Sequence, residues 1–187
     1  MNVNFQTEGK GGKCATVEWY TPKYIIDSLG GKFDLDPCAP NTEWYTANNC
    51  FTKEIDGLSK EWEGRVFLNP PYENPIVKHF VRRLADHGNG IALLYARCDN
   101  KMFMEDIFNR ATSIKFLCDR IYFIRPDGTK GDRPGCGSVL IAYGKECDEL
   151  LRNCKLKGKY IPLSNDLSHS FGTMKAGEVK SLEIEFK

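Results

Sequence analysis

The 187-residue sequence contains no run of eighteen apolar residues, so no membrane-spanning helix and no membrane partner are expected. Its first twenty residues carry no apolar stretch after their charges. No secretory signal is expected from them, and the expected location is cytoplasmic. The eight cysteines stand at 14, 38, 50, 98, 118, 136, 147 and 154. They form no C-x-x-C pair and match no Cys/His zinc spacing, so no metal is expected. Without a secretory context a disulfide framework is not expected either, and the thiols read as reduced, most of them small core hydrophobes. His79, His87 and His169 fit no triad or metal arrangement, and no Ser or Cys stands in a nucleophile motif. No internal repeat is read.

What is present suits a soluble globular domain: 41% hydrophobic and 27% charged residues. The net charge of +1 is unevenly spread. Residues 1–64 carry a net −4, residues 65–134 a net +4 and residues 135–187 a net +1. A basic middle suits a face that grips a polyanion, although a swing of this size also occurs as ordinary surface variation.

Residues 1–15 read as a loose polar arm. Thr21-Pro22 then reads as a helix start, with Thr21 as the cap, Tyr24, Ile25, Ile26 and Leu29 as its apolar side, and Gly30-Gly31 as its stop. Strands are expected at 32–36, 65–68, 90–95, 113–117, 121–124 and 138–143, and helices at 74–85 and 100–110. Residues 37–64 show no strong periodicity and read as loops and short elements. The alternation predicts an α/β fold with a mostly parallel sheet and an antiparallel edge, spanning residues 16–144. Residues 145–187 read as a C-terminal extension with a helix and an edge strand.

Three short motifs carry candidate chemistry. Asn69-Pro70-Pro71-Tyr72 directly follows a predicted strand, where open α/β sheets bind ligands. Two prolines stiffen this loop and remove two N–H donors, leaving carbonyls and the Asn69 side-chain oxygen. Such paired acceptors suit an exocyclic –NH₂ group, with Tyr72 as a stacking face. The same residues also make an ordinary proline-rich turn. Asp36-Pro37-Cys38-Ala39 places a carboxylate at a strand tip, suited to a cationic amine, though Asp-Pro is a common turn opener. Trp19 and Tyr20 precede the first helix and can flank a flat ligand, or Tyr20 can simply staple the helix. Arg97 and Asp99 follow the 90–95 strand and suit DNA contact, bracing of the Asn69 loop, or a salt bridge. Arg120, Arg125, Lys130 and Arg133 cluster around a Pro-Asp-Gly turn, where phosphate contact and a solvated hairpin are equally open.

The ordered set Glu18-Trp-Tyr-Thr-Pro, Asp36-Pro-Cys-Ala, Asp56-Gly-Leu and Asn69-Pro-Pro-Tyr resembles the phage-type DNA N6-adenine methyltransferases, the small Dam-like enzymes of bacteriophages and prophages. The resemblance runs from about Thr16 to Gly144. It implies a Rossmann-like, S-adenosylmethionine-dependent fold that methylates adenine N6 in double-stranded DNA after flipping the base. It assigns Tyr20, Thr21 and Pro22 to the cofactor, Asp36 to its amino group, Pro37, Cys38 and Ala39 to backbone contact with it, and Asp56 to its adenosine end. It assigns Asn69 and the Pro70 carbonyl, braced by Pro71, to the target amine. Tyr72, Trp19, Arg97 and Arg133 fall to the DNA side. One departure stands out: Ala39-Pro40-Asn41 occupies the place of the usual glycine-rich turn. Methylation of RNA or of protein glutamine, and a non-catalytic DNA-binding or anti-restriction role on the same scaffold, are the alternative readings.

Overall fold

The computed structural model describes residues 19–73 and 75–163. Seven strands form one sheet in the order β2-β1-β3-β4-β6-β5-β7. They are β1 (Phe33–Asp36), β2 (Ala47–Cys50), β3 (Val66–Leu68), β4 (Gly90–Tyr95), β5 (Ser113–Leu117), β6 (Ser138–Tyr143) and β7 (Gly158–Pro162). The β2-β1-β3-β4 half is parallel. The β4-β6-β5-β7 half is antiparallel, so the antiparallel part extends well beyond a single edge strand.

The central strands β3, β4 and β6 are short continuous apolar runs because both faces of the sheet are covered. Side chains alternate between two apolar layers with the strand period of two. Phe33, Phe67, Ile91 and Leu93 face a layer shared with Ile25, Ile26 and Leu29 of α1 (Lys23–Ser28) and Cys147 and Leu151 of α3 (Lys145–Asn153). Val66, Leu68, Ala92 and Leu94 face the opposite layer. There they meet Phe80, Val81 and Leu84 of α2 (Ile76–His87) and Phe103 and Ile107 of a π-helical segment, Phe103–Phe108.

Five local expectations are corrected. Pro22, extended at φ −65° and ψ 143°, holds the cap position of α1 with no side-chain cap bond, and Thr21 is buried before it. Tyr24 is 48% exposed and does not join the apolar side. The segment after Asn100 closes as a π-helix rather than an α-helix. Its wide turns let the Tyr143 hydroxyl donate to the Asp106 carbonyl at 2.7 Å. Residues 121–124 form no strand, because β6 and β7 already occupy both edges of β5. Ile121 and Phe123 still point into the core, and Ile124 pairs only through isolated bridges with Tyr20 and Lys130. Of the described cysteines Cys50, Cys147 and Cys154 are buried and Cys38 and Cys98 are half-buried against the core, so the core reading holds in full for three of the seven, all of them free thiols.

The helix expected from Asn74 begins at Ile76 and ends at Gly88 in a left-handed conformation, φ 73°. The helix and edge strand expected after Tyr143 correspond to α3 and β7, and β7 pairs with β5. The arm at 1–15, Glu18, His169 and residues 164–187 lie outside the described residues. Among the described residues no helix is long and apolar enough to cross a membrane.

Candidate active site

Strands β1, β3 and β4 are parallel neighbours, so their carboxyl ends open on one edge of the sheet. Asp36 ends β1, Asn69 follows β3, and Tyr95 ends β4. Two of the sequence motifs thus meet at the edge where α/β sheets hold ligands.

The third motif is tied to them by a hydrogen bond. The Asn69 side-chain Nδ2 donates to the Trp19 carbonyl at 2.8 Å. This bond determines which end of the amide is which, because only the NH₂ group can donate to a carbonyl. The Asn69 Oδ1 is therefore the acceptor end, touched among the described residues only by the Tyr72 hydroxyl at a long 3.4 Å. Pro70 is buried and Pro71 half-buried, so the loop is packed down from below. Tyr72 turns inward more than expected. Its hydroxyl also donates to the Leu93 carbonyl at 3.2 Å, and its ring stacks on Tyr95 at 4.1 Å between centroids. Burial pushes the Tyr72 hydroxyl well above its ordinary pKa.

Asp36 is 3% exposed. Its Oδ1 accepts from the Cys38 N–H at 2.9 Å and its Oδ2 from the Thr46 hydroxyl at 2.5 Å. Burial raises its pKa to about 6 despite these two bonds, which pull the other way. No ion pair among the described residues involves Asp36. A buried carboxylate with no cation is costly, and the site has the chemistry to receive a positively charged ligand. Burial, with the neighbouring Asp36, also pushes the Cys38 thiol up. The N–H groups of Cys38 and Ala39 are already used, on Asp36 and on the Phe51 carbonyl. Backbone contact at this turn is left to carbonyls and to close approach.

Asp56 stands at φ 57°, a left-handed backbone, with its Oδ1 accepting from the Leu58 N–H at 3.2 Å. Its turn leans on the Asp36 turn through Gly57, where an added Cβ would lie 2.2 Å from the Pro37 carbonyl oxygen. Gly57→Ala is therefore expected to displace the Asp36-Pro37 turn and to destabilise the protein by about 1–3 kcal/mol. Thermal unfolding of the variant checks this.

The remaining expected residues are placed as follows. Tyr20 pairs through its backbone with Ile124 in both directions at 2.9 Å. The Trp19 ring covers Gly131, close enough that an added Cβ there would sit 2.8 Å from it. Arg97 is exposed, with its guanidinium 5.9 Å from the Tyr95 ring centroid, and it forms no ion pair among the described residues. Arg133 and Asp99 are exposed.

Three site residues escaped the motif reading: Trp44, Tyr45 and Thr46. The Tyr45 hydroxyl donates to the Thr21 carbonyl, Trp44 meets Tyr20 edge-on at 5.4 Å, and Thr46 holds Asp36. A signal for them exists, contrary to the expectation of no repeat. The tetrapeptide Glu-Trp-Tyr-Thr occurs twice, at 18–21 and 43–46, and the structure packs the described residues of both copies together. Of two shallow surface hollows elsewhere, one is lined by Leu58 of the Asp56-Gly-Leu motif with His79, Arg82, Arg83 and Asp86, and the other by no motif residue.

The comparisons with known proteins bear on the family of the chain. The family model for DNA N-6-adenine-methyltransferase (Dam) matches residues 12–149. The DNA N-6-adenine-methyltransferase of Haemophilus phage HP1 is 27% identical over 132 residues, covering 67% of this chain and 75% of that protein. No solved structure matches. With its model spanning more than half of the sequence, the chain belongs to the DNA N-6-adenine-methyltransferase (Dam) family.

Proposed function

We propose that the protein transfers a methyl group from S-adenosylmethionine to the N6 amine of adenine in double-stranded DNA, at the carboxyl edge of β1, β3 and β4. The observation that carries this reading is the Asn69 amide. Its nitrogen is committed to the Trp19 carbonyl, and its oxygen, beside a proline-stiffened loop, accepts only the long 3.4 Å bond from Tyr72 among the described residues. The sheet order, with a parallel half carrying the motifs, supports a Rossmann-like methyltransferase fold.

The residues present fit the cofactor. Asp36 is a buried anion lacking a cation, matched to the methionine ammonium. Tyr20, Thr21 and Pro22 lie beside it through Trp44, Tyr45 and Thr46, and offer aromatic and apolar surface for a nucleoside. Pro37, Cys38 and Ala39 form the floor, and Asp56 stands at the adenosine end through its turn against Pro37. When bound, the cofactor supplies an electrophilic sulfonium methyl group, so no metal is needed.

The chain's task is then to hold and polarise the amine. Adenine N6 is a poor nucleophile because its lone pair is delocalised into the ring. Acceptance of its two protons by Asn69 Oδ1 and the Pro70 carbonyl favours a pyramidal nitrogen and stabilises the positive charge that develops there. Alignment of the held amine with the methyl group supplies a further large factor. The surplus proton leaves after transfer, so no general base is needed beforehand. A duplex adenine reaches this edge only when flipped, and Tyr72, Trp19, Arg97 and Arg133 are the residues assigned to the DNA side.

Digestion of duplex DNA incubated with the protein and S-adenosylmethionine, followed by nucleoside mass spectrometry, tests the reading. N6-methyladenine is the expected product. Its absence, together with methylation of RNA or of a glutamine side chain, would replace DNA as the substrate. No transfer to any acceptor would leave the non-catalytic reading.

A further inference from the structure

We propose that Arg120 is a phosphate-binding residue of the DNA site, gripping the strand beside the base that Asn69 faces. This inference rests on the reading above and extends it to a residue in the link between β5 and β6.

The Arg120 Nη1 atom is buried and has no hydrogen-bond partner among the described residues. It lies 3.2 Å from the place where a Cβ on Gly137 would stand, and the Ala96 Cβ is 3.9 Å from the same point. Ala96 and Gly137 continue the β4–β6 ladder through a 2.9 Å backbone bond. The guanidinium is thus seated at the carboxyl end of β4, by Gly137 and Ala96; Ala96 follows Tyr95, whose ring stacks on Tyr72. A side chain at 137 would press on the planar group by a few tenths of an ångström.

A guanidinium has five donors and keeps its charge at any working pH. None of the eight ion pairs of the described residues uses Arg120. Nearby Arg125 is spent on Asp132 at 2.7 Å and on the Lys130 carbonyl at 2.6 Å. Arg120 as a whole residue is only partly buried. A seated cation with unmet donors beside a nucleobase site is matched to a phosphate, which accepts two parallel N–H bonds.

The cofactor's own carboxylate is the competing anion, and distance argues against it. The order β1-β3-β4-β6 separates Arg120 from Asp36 by two to three strand spacings. At ~4.8 Å each this is about 10–14 Å. An ammonium and a carboxylate on one carbon cannot span it.

The test compares wild type, Arg120→Gln and Arg120→Lys on an adenine-containing duplex at several salt concentrations. For Arg120→Gln, KM for DNA is expected to rise about tenfold or more with kcat within about threefold, and the slope of log binding against log salt to fall by about one. Arg120→Lys keeps the charge without the fork, so it is expected to restore the salt slope and only part of the affinity. Calorimetry with S-adenosylhomocysteine is expected to give unchanged affinity in both variants. Wild-type KM and salt slope in Arg120→Gln would overturn the proposal. So would weakened S-adenosylhomocysteine binding with an unchanged salt slope, which would assign Arg120 to the cofactor or to packing. If Arg120→Gln does not fold, Arg120→Lys decides: unchanged KM for DNA overturns the proposal. Wild-type protein that methylates no DNA refutes the underlying reading instead, and does so before any variant is made.

Discussion

Asp36→Asn is expected to make the protein more stable at pH 7 and at the same time to weaken S-adenosylmethionine binding by tenfold or more. Asp36 is 3% exposed, and burial lifts its pKa from 3.8 to about 6. A carboxyl group raised in the folded state binds its proton more tightly there than in the unfolded chain. Its unfavourable contribution is absent below the unfolded value, grows between about pH 4 and pH 6, and is fully present above that. At ~1.4 kcal/mol per pKa unit, the ionised group costs about 3 kcal/mol at neutral pH. Asparagine keeps an acceptor for the Cys38 N–H, and the Thr46 hydroxyl can rotate to accept from the new NH₂ group. The net gain is expected at about 1–3 kcal/mol by denaturant unfolding at pH 7, shrinking towards zero near pH 4. Binding responds in the opposite sense, because an ammonium ligand loses its counter-charge. Stability kept below its optimum at one buried group is what a functional site produces. Wild-type stability at pH 7 matching or exceeding that of Asp36→Asn would remove the charge from this account. Unchanged cofactor affinity would remove Asp36 from the site.

Asn69→Ala is expected to lower the rate of methyl transfer by about 10²–10³-fold, the size seen when one preorganised polar group is removed from a developing charge. Cofactor affinity is expected to stay within about twofold, because Asn69 follows β3 whereas Asp36 ends β1. The variant also loses the bond to the Trp19 carbonyl. Loss of one such bond costs about 1 kcal/mol of stability, too little to unfold the chain. Single-turnover transfer and calorimetry on the same preparation separate the two effects. Transfer at the wild-type rate would show that the target amine is held elsewhere.

The sequence disclosed those parts of the fold whose environment is uniform. β3, β4 and β6 were legible because cover on both faces makes them continuous apolar runs. β2, Ala-Asn-Asn-Cys, was not, because an outer strand with two exposed asparagines shows neither alternation nor apolar bulk. Residues 121–124 misled for the opposite reason. Ile121 and Phe123 do alternate into the core, but both edges of the preceding strand β5 were already taken by β6 and β7. At the site, Asp36 and Asn69 were legible as special chemistry at strand ends. The Trp44-Tyr45-Thr46 segment was not, since its meaning arises from tertiary meetings with Thr21, Tyr20 and Asp36, and Arg120 was legible only as one of four cations around a turn, its seat beside Gly137 being tertiary.

The most direct measurement is a crystal structure of the protein with S-adenosylhomocysteine and a short adenine-containing duplex. An extrahelical adenine is expected at the β3–β4 edge, its N6 within about 3 Å of Asn69 Oδ1. The cofactor sulfur is expected on the other side of that nitrogen, and the amino group against Asp36. A sulfur bound away from the Asn69 loop, or an adenine still stacked in the duplex with Asn69 facing only protein, would contradict the account.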